Sequence, residues 1–483
     1  MLSLILIASA LAVYCWLRLK APISKLPGPL YTKITSLPLK YHEFTGTRRT
    51  WIHSLHQRYG TAVRLAPNEA SFSSQEAMKE IYTSQGAGYD RTEFYDLFRQ
   101  FSTRTLFSTP PKHAHGQRKR VFADRYANTN IVRPEMLSAL QARARLFLRN
   151  CLQTRSSNDG GCDPDIYVQL HSYALDGASH FLFAPRGTNS LDNVPADVDI
   201  LKEQMYHDSL VDNLIAHYWP ALGDFLDRFK ILQARPSPLA NAYVIDASEQ
   251  PSPAEYSLIA KLQARKADLK DGVDDVESQM AGPAECMDHL AAGIDTTGDG
   301  LCFIMYALSV PEAQGIQDKL REELVQSASS GSEQQLSYLD AVIREGLRCF
   351  PPIPMSFPRY VPSGGRKLEG YYVPEKTIVS CQPWTLHRDP VVFPDPEVFR
   401  PERWLDDEGK MERDRMFFAF SQGSRGCIGK NLAMAEMRAL LKEVYSQCRT
   451  TVSKHMKGDM GLADQIISSR PSGQTCLLAF ERV

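Results

Sequence analysis

Three clusters in this sequence combine residue types and spacings that could do chemistry. The first is FSQGSRGCIG, Phe420 to Gly429, where one cysteine stands among three glycines. A thiolate that ligates iron has to stay deprotonated, lie close to a flat macrocycle and be sheltered from oxidation. Behind Cys427, the residues Asn431, Leu432, Ala433, Met434, Met437, Leu440 and Leu441 carry a helical apolar pattern. Cys427 is therefore placed at a helix N-terminus, where free N–H groups and the macrodipole favour an anionic sulfur. Gly423, Gly426 and Gly429 leave out side chains where a backbone turns tightly and approaches a large cofactor. Phe420 can cover the sulfur, and Arg425 can reach a cofactor carboxylate. Without those flanks, a buried cysteine ahead of a core helix would be the simpler reading.

The second cluster is AGIDTT, Ala292 to Thr297, inside an apolar segment that runs to about Leu308. On a helix, Ala292 and Thr296 share a face and Asp295 lies beside them. Small residues at 292 and 293 let that helix pass close over a flat group. Thr296 can offer a hydroxyl hydrogen bond, and Asp295 can help relay protons. The third is EGLR, where Glu345 and Arg348 put opposite charges on one helix face; alone, it reads as a surface ion pair.

The elements that must position these clusters are mostly helical. Leu137, Leu140, Ala144 and Leu148 recur at helical steps, as do Ile316, Leu320 and Leu324, while extended pieces fall near Ala62 to Leu65 and Tyr371 to Ser380. The expected class is mainly α with a minor β-sheet region. Ser156 to Gly161, Pro251 to Pro253 and Ser327 to Ser332 read as flexible stretches. Of 483 residues, 43% are hydrophobic, and 55 lysines and arginines nearly balance 56 acidic residues. No global field therefore argues for nucleic acid or another polyanion. The ten cysteines are dispersed with no CxxC pair, which disfavours zinc ribbons, redox dithiols and a disulfide framework.

Leu2 to Leu17 carries no charge, and Arg18 and Lys20 follow at once. A helix of that length spans roughly 24 Å, near the ~30 Å hydrocarbon core of a bilayer. Basic residues after the apolar run favour a cytosolic body. A cleaved signal peptide fits less well, because Ala8-Ser9-Ala10 lies inside the run and no basic stretch precedes it. Residues 1–20 are thus read as a membrane anchor and the proline-rich 21–30 as a hinge.

The fixed positions of FSQGSRGCIG match the haem-binding loop FxxGxRxCxG of the cytochromes P450, so the chain resembles that family. AGIDTT is similar to the family's distal helix, and EGLR to its ExxR motif. The arginine that completes the latter pair falls in Pro401-Glu402-Arg403-Trp404, with Trp404 where phenylalanine is usual. The resemblance implies a haem b sandwiched between distal helix and cysteine loop, with Cys427 the axial iron ligand. It implies Asp295 and Thr296 as the catalytic pair, and Glu345, Arg348 and Arg403 as a buried structural triad. Phe420, Arg425, Gly429 and Arg359 would contact the cofactor. In HAHGQRKR, a basic residue, Arg118 or Arg120 beside Lys119, would meet a haem propionate. The motifs span 292 to 429 and must converge on one cofactor, so residues 31–483 are expected to form a single catalytic domain.

The implied activity is a monooxygenase that inserts one oxygen atom of O2 into a lipophilic small molecule. Electrons would come from NADPH through a separate NADPH-cytochrome P450 reductase, with cytochrome b5 a further candidate, since no flavin or GxGxxG module is present. The implied site is the endoplasmic reticulum membrane, with the catalytic domain cytosolic. The run RYANTN at 125–130 resembles filamentous-fungal members of secondary metabolism. By family position the pocket would draw on Phe94, Tyr95, Phe98 and Phe101, on Met205 to Trp219, and on Pro354 to Phe357. Members that isomerise without dioxygen, and haem carriers, have no need of the Asp295–Thr296 pair.

Overall fold

The computed structural model describes residues 2–83, 88–157, 163–205, 210–229, 231, 237–268, 276–330 and 336–483. Its spine is the helix Val276–Ser309, which carries AGIDTT and runs through the main apolar core. Helical periodicity gives Pro134–Ser157 and Gln314–Ser330 as expected, so Ser327 to Ser330 extend a helix where a flexible stretch was expected. Residues 331 and 332, and 158 to 161 of the other stretch, lie outside the described residues.

The spine packs closely on the helix Ile166–Phe183. Gly293 makes this possible: a Cβ there would lie 3.0 Å from the Ala178 Cβ. Its small size thus serves helix packing, whereas only Ala292 is exposed, toward an internal cavity. A four-stranded sheet orders Ala62–Ala66, Glu69–Phe72, Ile378–Ser380 and Arg359–Tyr360, with one parallel pair in the middle. Its last strand carries Arg359, and a bridge joins Arg91 to it.

The N-terminal helix Leu2–Lys20 leaves its side chains almost wholly exposed, and Ser3–Lys20 is long and apolar enough to cross a membrane. The proline-rich segment behind it is pinned to the body. Ile23 and Leu26 are buried, and the buried Arg64 guanidinium donates to their carbonyls at 3.3 and 3.1 Å. These bonds hold the segment against the first strand of the sheet.

Candidate active site

Cys427 sits in a loop whose shape its glycines permit. Gly423 has φ +70°, and a Cβ on it would fall 2.0 Å from the Tyr82 carbonyl oxygen, so no other residue fits. Cys427 N donates to Phe420 O at 2.9 Å, closing the loop just before the helix Lys430–Gln447. Burial pushes the thiol up, while the amides of Gly429 and Lys430 and the Lys119 ammonium pull it back toward the anion. Among the described cysteines Cys427 alone is exposed. The exposure is to a cavity of about 490 Å³.

The same cavity is lined by Ala292, Asp295 and Thr296 of the spine helix, by Phe420, Arg425 and Gly429, and by Arg359. Thr296 Oγ1 donates to Ala292 O at 2.6 Å, which parks the hydroxyl on its own helix. Burial and the neighbouring Asp299 push the Asp295 carboxyl up to about 7. Asp299 in turn lies 3.5 Å from His171 Nε2. Further along, burial pushes Glu436 up to about 8, and it accepts from Thr297 Oγ1 at 3.3 Å.

One part of the wall is strongly basic. Arg91, Lys119, Arg359 and Arg425 line it, and beside them His115 is kept neutral, its pKa pushed down to about 2 by burial and by the neighbouring Arg425 and Arg91. Arg425 donates to Thr109 O at 2.7 Å and Arg359 to Tyr95 OH at 2.7 Å, yet the buried Nε atoms of Arg91 and Arg425 have no partner. Clustered cations with unsatisfied N–H groups fit an anionic group in the cavity. A flat macrocycle bearing carboxylates suits this wall, the bare Ala292 and the open sulfur together.

Arg118 and Arg120 lie elsewhere. On the helix Lys112–Phe122, Arg118 pairs with Glu285 at 2.8 Å and Arg120 is exposed, while His115 and Lys119, one turn apart, face the cavity. The four-residue step from His115 to Lys119 carried that signal; the flanking arginines obscured it. Lys119 also clamps the cysteine loop through Ser424 O at 2.9 Å and Gly426 O at 3.0 Å. Of the pocket aromatics, Phe98 and Phe357 reach the cavity, as do Met205 and Leu210. Phe94 packs on His217, and Tyr95 serves Arg359.

On the cysteine side, Glu345 accepts from Arg348 at 2.8 and 2.9 Å, from Arg403 Nε at 3.0 Å, from Arg400 N at 2.9 Å and from Trp404 Nε1 at 3.0 Å. Glu345 and Arg348 are both 0% exposed, and Arg403 is 3%. The tryptophan at 404 thus adds an N–H that phenylalanine lacks. Beyond this set, His387 accepts from Phe418 N at 2.8 Å and donates to Arg348 O at 3.1 Å. Burial, Arg348 and Arg388 hold its pKa down to about 3, which keeps it neutral for that double role. His387 ties the ion-pair helix Ser337–Cys349 to the cysteine loop, and no sequence pattern pointed to it.

A family model described as "Cytochrome P450" matches residues 27–477. Among curated proteins, the chain is 28% identical over 471 residues to "Cytochrome P450 monooxygenase astD" of Aspergillus oryzae, covering 94% of this chain and 88% of that protein. It is 27% identical over 501 residues to "Cytochrome P450 monooxygenase cypX" of Dothistroma septosporum, covering 98% and 95%. A third relative, "Cytochrome P450 monooxygenase ORF9" of Penicillium roqueforti, is 28% identical over 460 residues, with 92% and 84% covered.

Proposed function

The chain belongs to the cytochrome P450 family and is a haem-thiolate monooxygenase, and we propose that Cys427 is the axial ligand of a haem b held in the cavity. The observation that carries this is the exposure of the Cys427 sulfur to the same cavity that Ala292 faces and that the basic wall closes. Arg91, His115, Lys119, Arg359 and Arg425 would hold the propionates, and Ala292 would leave the ring and dioxygen room. When bound, the haem supplies the redox chemistry that activates dioxygen for insertion of one oxygen atom.

The protein's own residues do the rest. Thr296 holds a hydroxyl over the site, and Asp295 keeps a proton beside it. The amides of Gly429 and Lys430 hold the sulfur's charge. Glu345, Arg348 and Arg403 fix the loop's footing, and Phe98, Phe107, Leu210 and Phe357 shape an apolar pocket for a lipophilic substrate. Residues 31–483 act as one catalytic domain behind the Leu2–Lys20 anchor. By this reading the protein sits in the endoplasmic reticulum membrane and takes electrons from NADPH-cytochrome P450 reductase, with cytochrome b5 as auxiliary donor. The fungal sources of its relatives and the RYANTN run support a step of secondary metabolism.

The reduced protein with carbon monoxide is expected to show the red-shifted Soret band of thiolate ligation, and Cys427→Ala to lose it completely. An unchanged band in the variant would refute the ligand assignment. Product formation with reductase, NADPH and a lipophilic metabolite panel, scored as a mass gain of one oxygen, tests the activity.

A further inference from the structure

Tyr126, in the run RYANTN, lines the cavity together with Cys427 and Gly429 of the cysteine loop, and it is 6% exposed. Its hydroxyl lies 3.0 Å from Nδ1 of His289, a residue of the spine helix that lines the cavity too. A neutral imidazole offers one nitrogen as acceptor, so the phenol donates to Nδ1 and the ring's own proton stands on Nε2. Nε2 is buried and has no partner among the described residues. Burial holds the pKa of the ring down to about 4, which keeps Nδ1 an acceptor at neutral pH. Carboxyl oxygens of Glu285 and Asp288 lie within 4.8 Å of a nitrogen of that ring, placed to oppose a positive charge formed there.

A second pair of the same kind stands behind the first. The Tyr126 ring packs on Phe181 with 4.8 Å between centroids. The neighbouring His180 has its Nε2 2.9 Å from the Tyr256 hydroxyl, and burial with Arg143 nearby holds this ring too at about 4. Asn130, one turn beyond Tyr126, donates to Tyr256 O at 3.1 Å and joins the two segments. Tyr256 is half-buried. The first pair thus faces the cavity, and the second lies within reach of solvent.

A phenol gives up an electron far more readily when its proton leaves at the same moment. A neutral imidazole already in hydrogen-bond contact takes that proton. Phenylalanine would fill the same space at 126; what the hydroxyl adds is a proton held against a base beside the redox centre. Oxygen insertion makes no use of either pair.

We propose that Tyr126 and His289 form a redox-active pair that withdraws an oxidising equivalent from the haem when no substrate takes it, and that Tyr256 and His180 pass it to a soluble thiol. In the first step one electron leaves Tyr126 for the oxidised haem, its O–H bond breaks and an N–H bond forms at His289 Nδ1. A neutral tyrosyl radical and an imidazolium result. In the second step an electron passes from Tyr256 to that radical, the Tyr256 proton moves to His180 Nε2, and the proton on His289 returns to the Tyr126 oxygen. A thiol in solution then supplies an electron, His180 returns its proton to Tyr256, and the thiol's own proton goes to water, leaving a thiyl radical. The relay spares Cys427, whose sulfur is open to the same oxidant. The inference rests on the monooxygenase reading above.

The test uses the haem-loaded full chain without substrate, mixed with hydrogen peroxide and frozen at a series of times. Electron paramagnetic resonance is expected to show an organic radical whose lines narrow when the protein carries ring-deuterated tyrosine. Tyr126→Phe should lose that early signal. His289→Gln, which accepts a hydrogen bond but cannot keep a proton, should slow its formation by roughly 10²-fold. Tyr256→Phe should keep the signal and hold it after glutathione is added, whereas wild type should lose it. The reduced carbon monoxide spectrum should be the same in every variant.

A wild type that forms no tyrosine radical, or a radical undiminished in Tyr126→Phe, overturns the proposal while the thiolate spectrum stays normal. A radical formed at the wild-type rate in His289→Gln overturns the pair, and one quenched by the thiol in Tyr256→Phe as in wild type overturns the second step. Should His289→Gln fail to fold, Tyr126→Phe, which keeps the ring packing, decides alone. A wild type without the thiolate spectrum overturns the monooxygenase reading and this inference with it.

Discussion

Two buried polar networks flank the cavity, and they are built on opposite principles. Around Glu345, every carboxylate lone pair has a donor, from Arg348, Arg403, Arg400 N and Trp404. Around Asp295 the groups are under-partnered: Asp299 Oδ1 and Glu436 Oε1 are buried without a hydrogen bond. Burial pushes Asp295 to about 7 and Glu436 to about 8. A saturated network is rigid and chemically inert, whereas an unsaturated one keeps protons exchangeable near neutrality. The first holds the cysteine loop still, and the second faces the place where protons are spent.

The comparison can be broken at several points, and the largest effect is expected on the saturated side. Glu345→Leu leaves two arginines buried without their counter-charge and should cost about 3–5 kcal/mol. Chemical denaturation and haem retention would measure it; a loss below ~1 kcal/mol would mean the triad is not holding the fold. Asp295→Asn, by contrast, should not destabilise the fold and should lower coupled product formation by about 10²-fold, or ~2.7 kcal/mol in the barrier. If Asp295→Asn unfolds the protein instead, the contrast between the two networks fails.

Gly298→Ala would set a Cβ 2.8 Å from the His171 ring and should destabilise by about 1–3 kcal/mol. The same change in a His171→Ala background should be nearly free, a non-additivity that a double-mutant cycle reads directly. Trp404→Phe removes one N–H from the Glu345 carboxylate, at roughly 1–2 kcal/mol, visible as a lowered denaturation midpoint with unchanged activity. The smallest effect is on pH dependence. Asp295 and Glu436 bind protons more readily folded than unfolded, so their contribution to stability is fully present on the acid side. It should decline as pH rises from about 4 through 7 to 8, and Asp295→Asn should flatten the profile.

Much of this was legible in the order of residues. Cys427, Asp295, Thr296, Glu345, Arg348 and Arg403 each stand in a local pattern of fixed spacing, and the structure brings them around one cavity and its supporting helix. The periodic helices and the extended pieces at Ala62 and Tyr371 were equally plain. What was hidden depends on contacts between distant segments. His171 lies in a helix with no motif, and only packing sets it against Gly298 and Asp299. His387 joins two motifs from a loop that belongs to neither. The propionate side stayed ambiguous in the sequence because HAHGQRKR offers three adjacent cations, Arg118, Lys119 and Arg120, and helix phase alone decides that Lys119 turns inward while Arg118 meets Glu285. Gly293 was credited to the cofactor, although its missing Cβ serves Ala178.

The seat that Gly298 makes for His171 also has a consequence in descent. Two positions on different helices can change in one order more easily than in the other. A side chain gained at 298 is harmful while histidine stands at 171, but harmless once a smaller residue has replaced it. Lineages that left this arrangement are therefore expected to have lost the histidine first, and to have passed through an ancestor with an empty niche between the two helices.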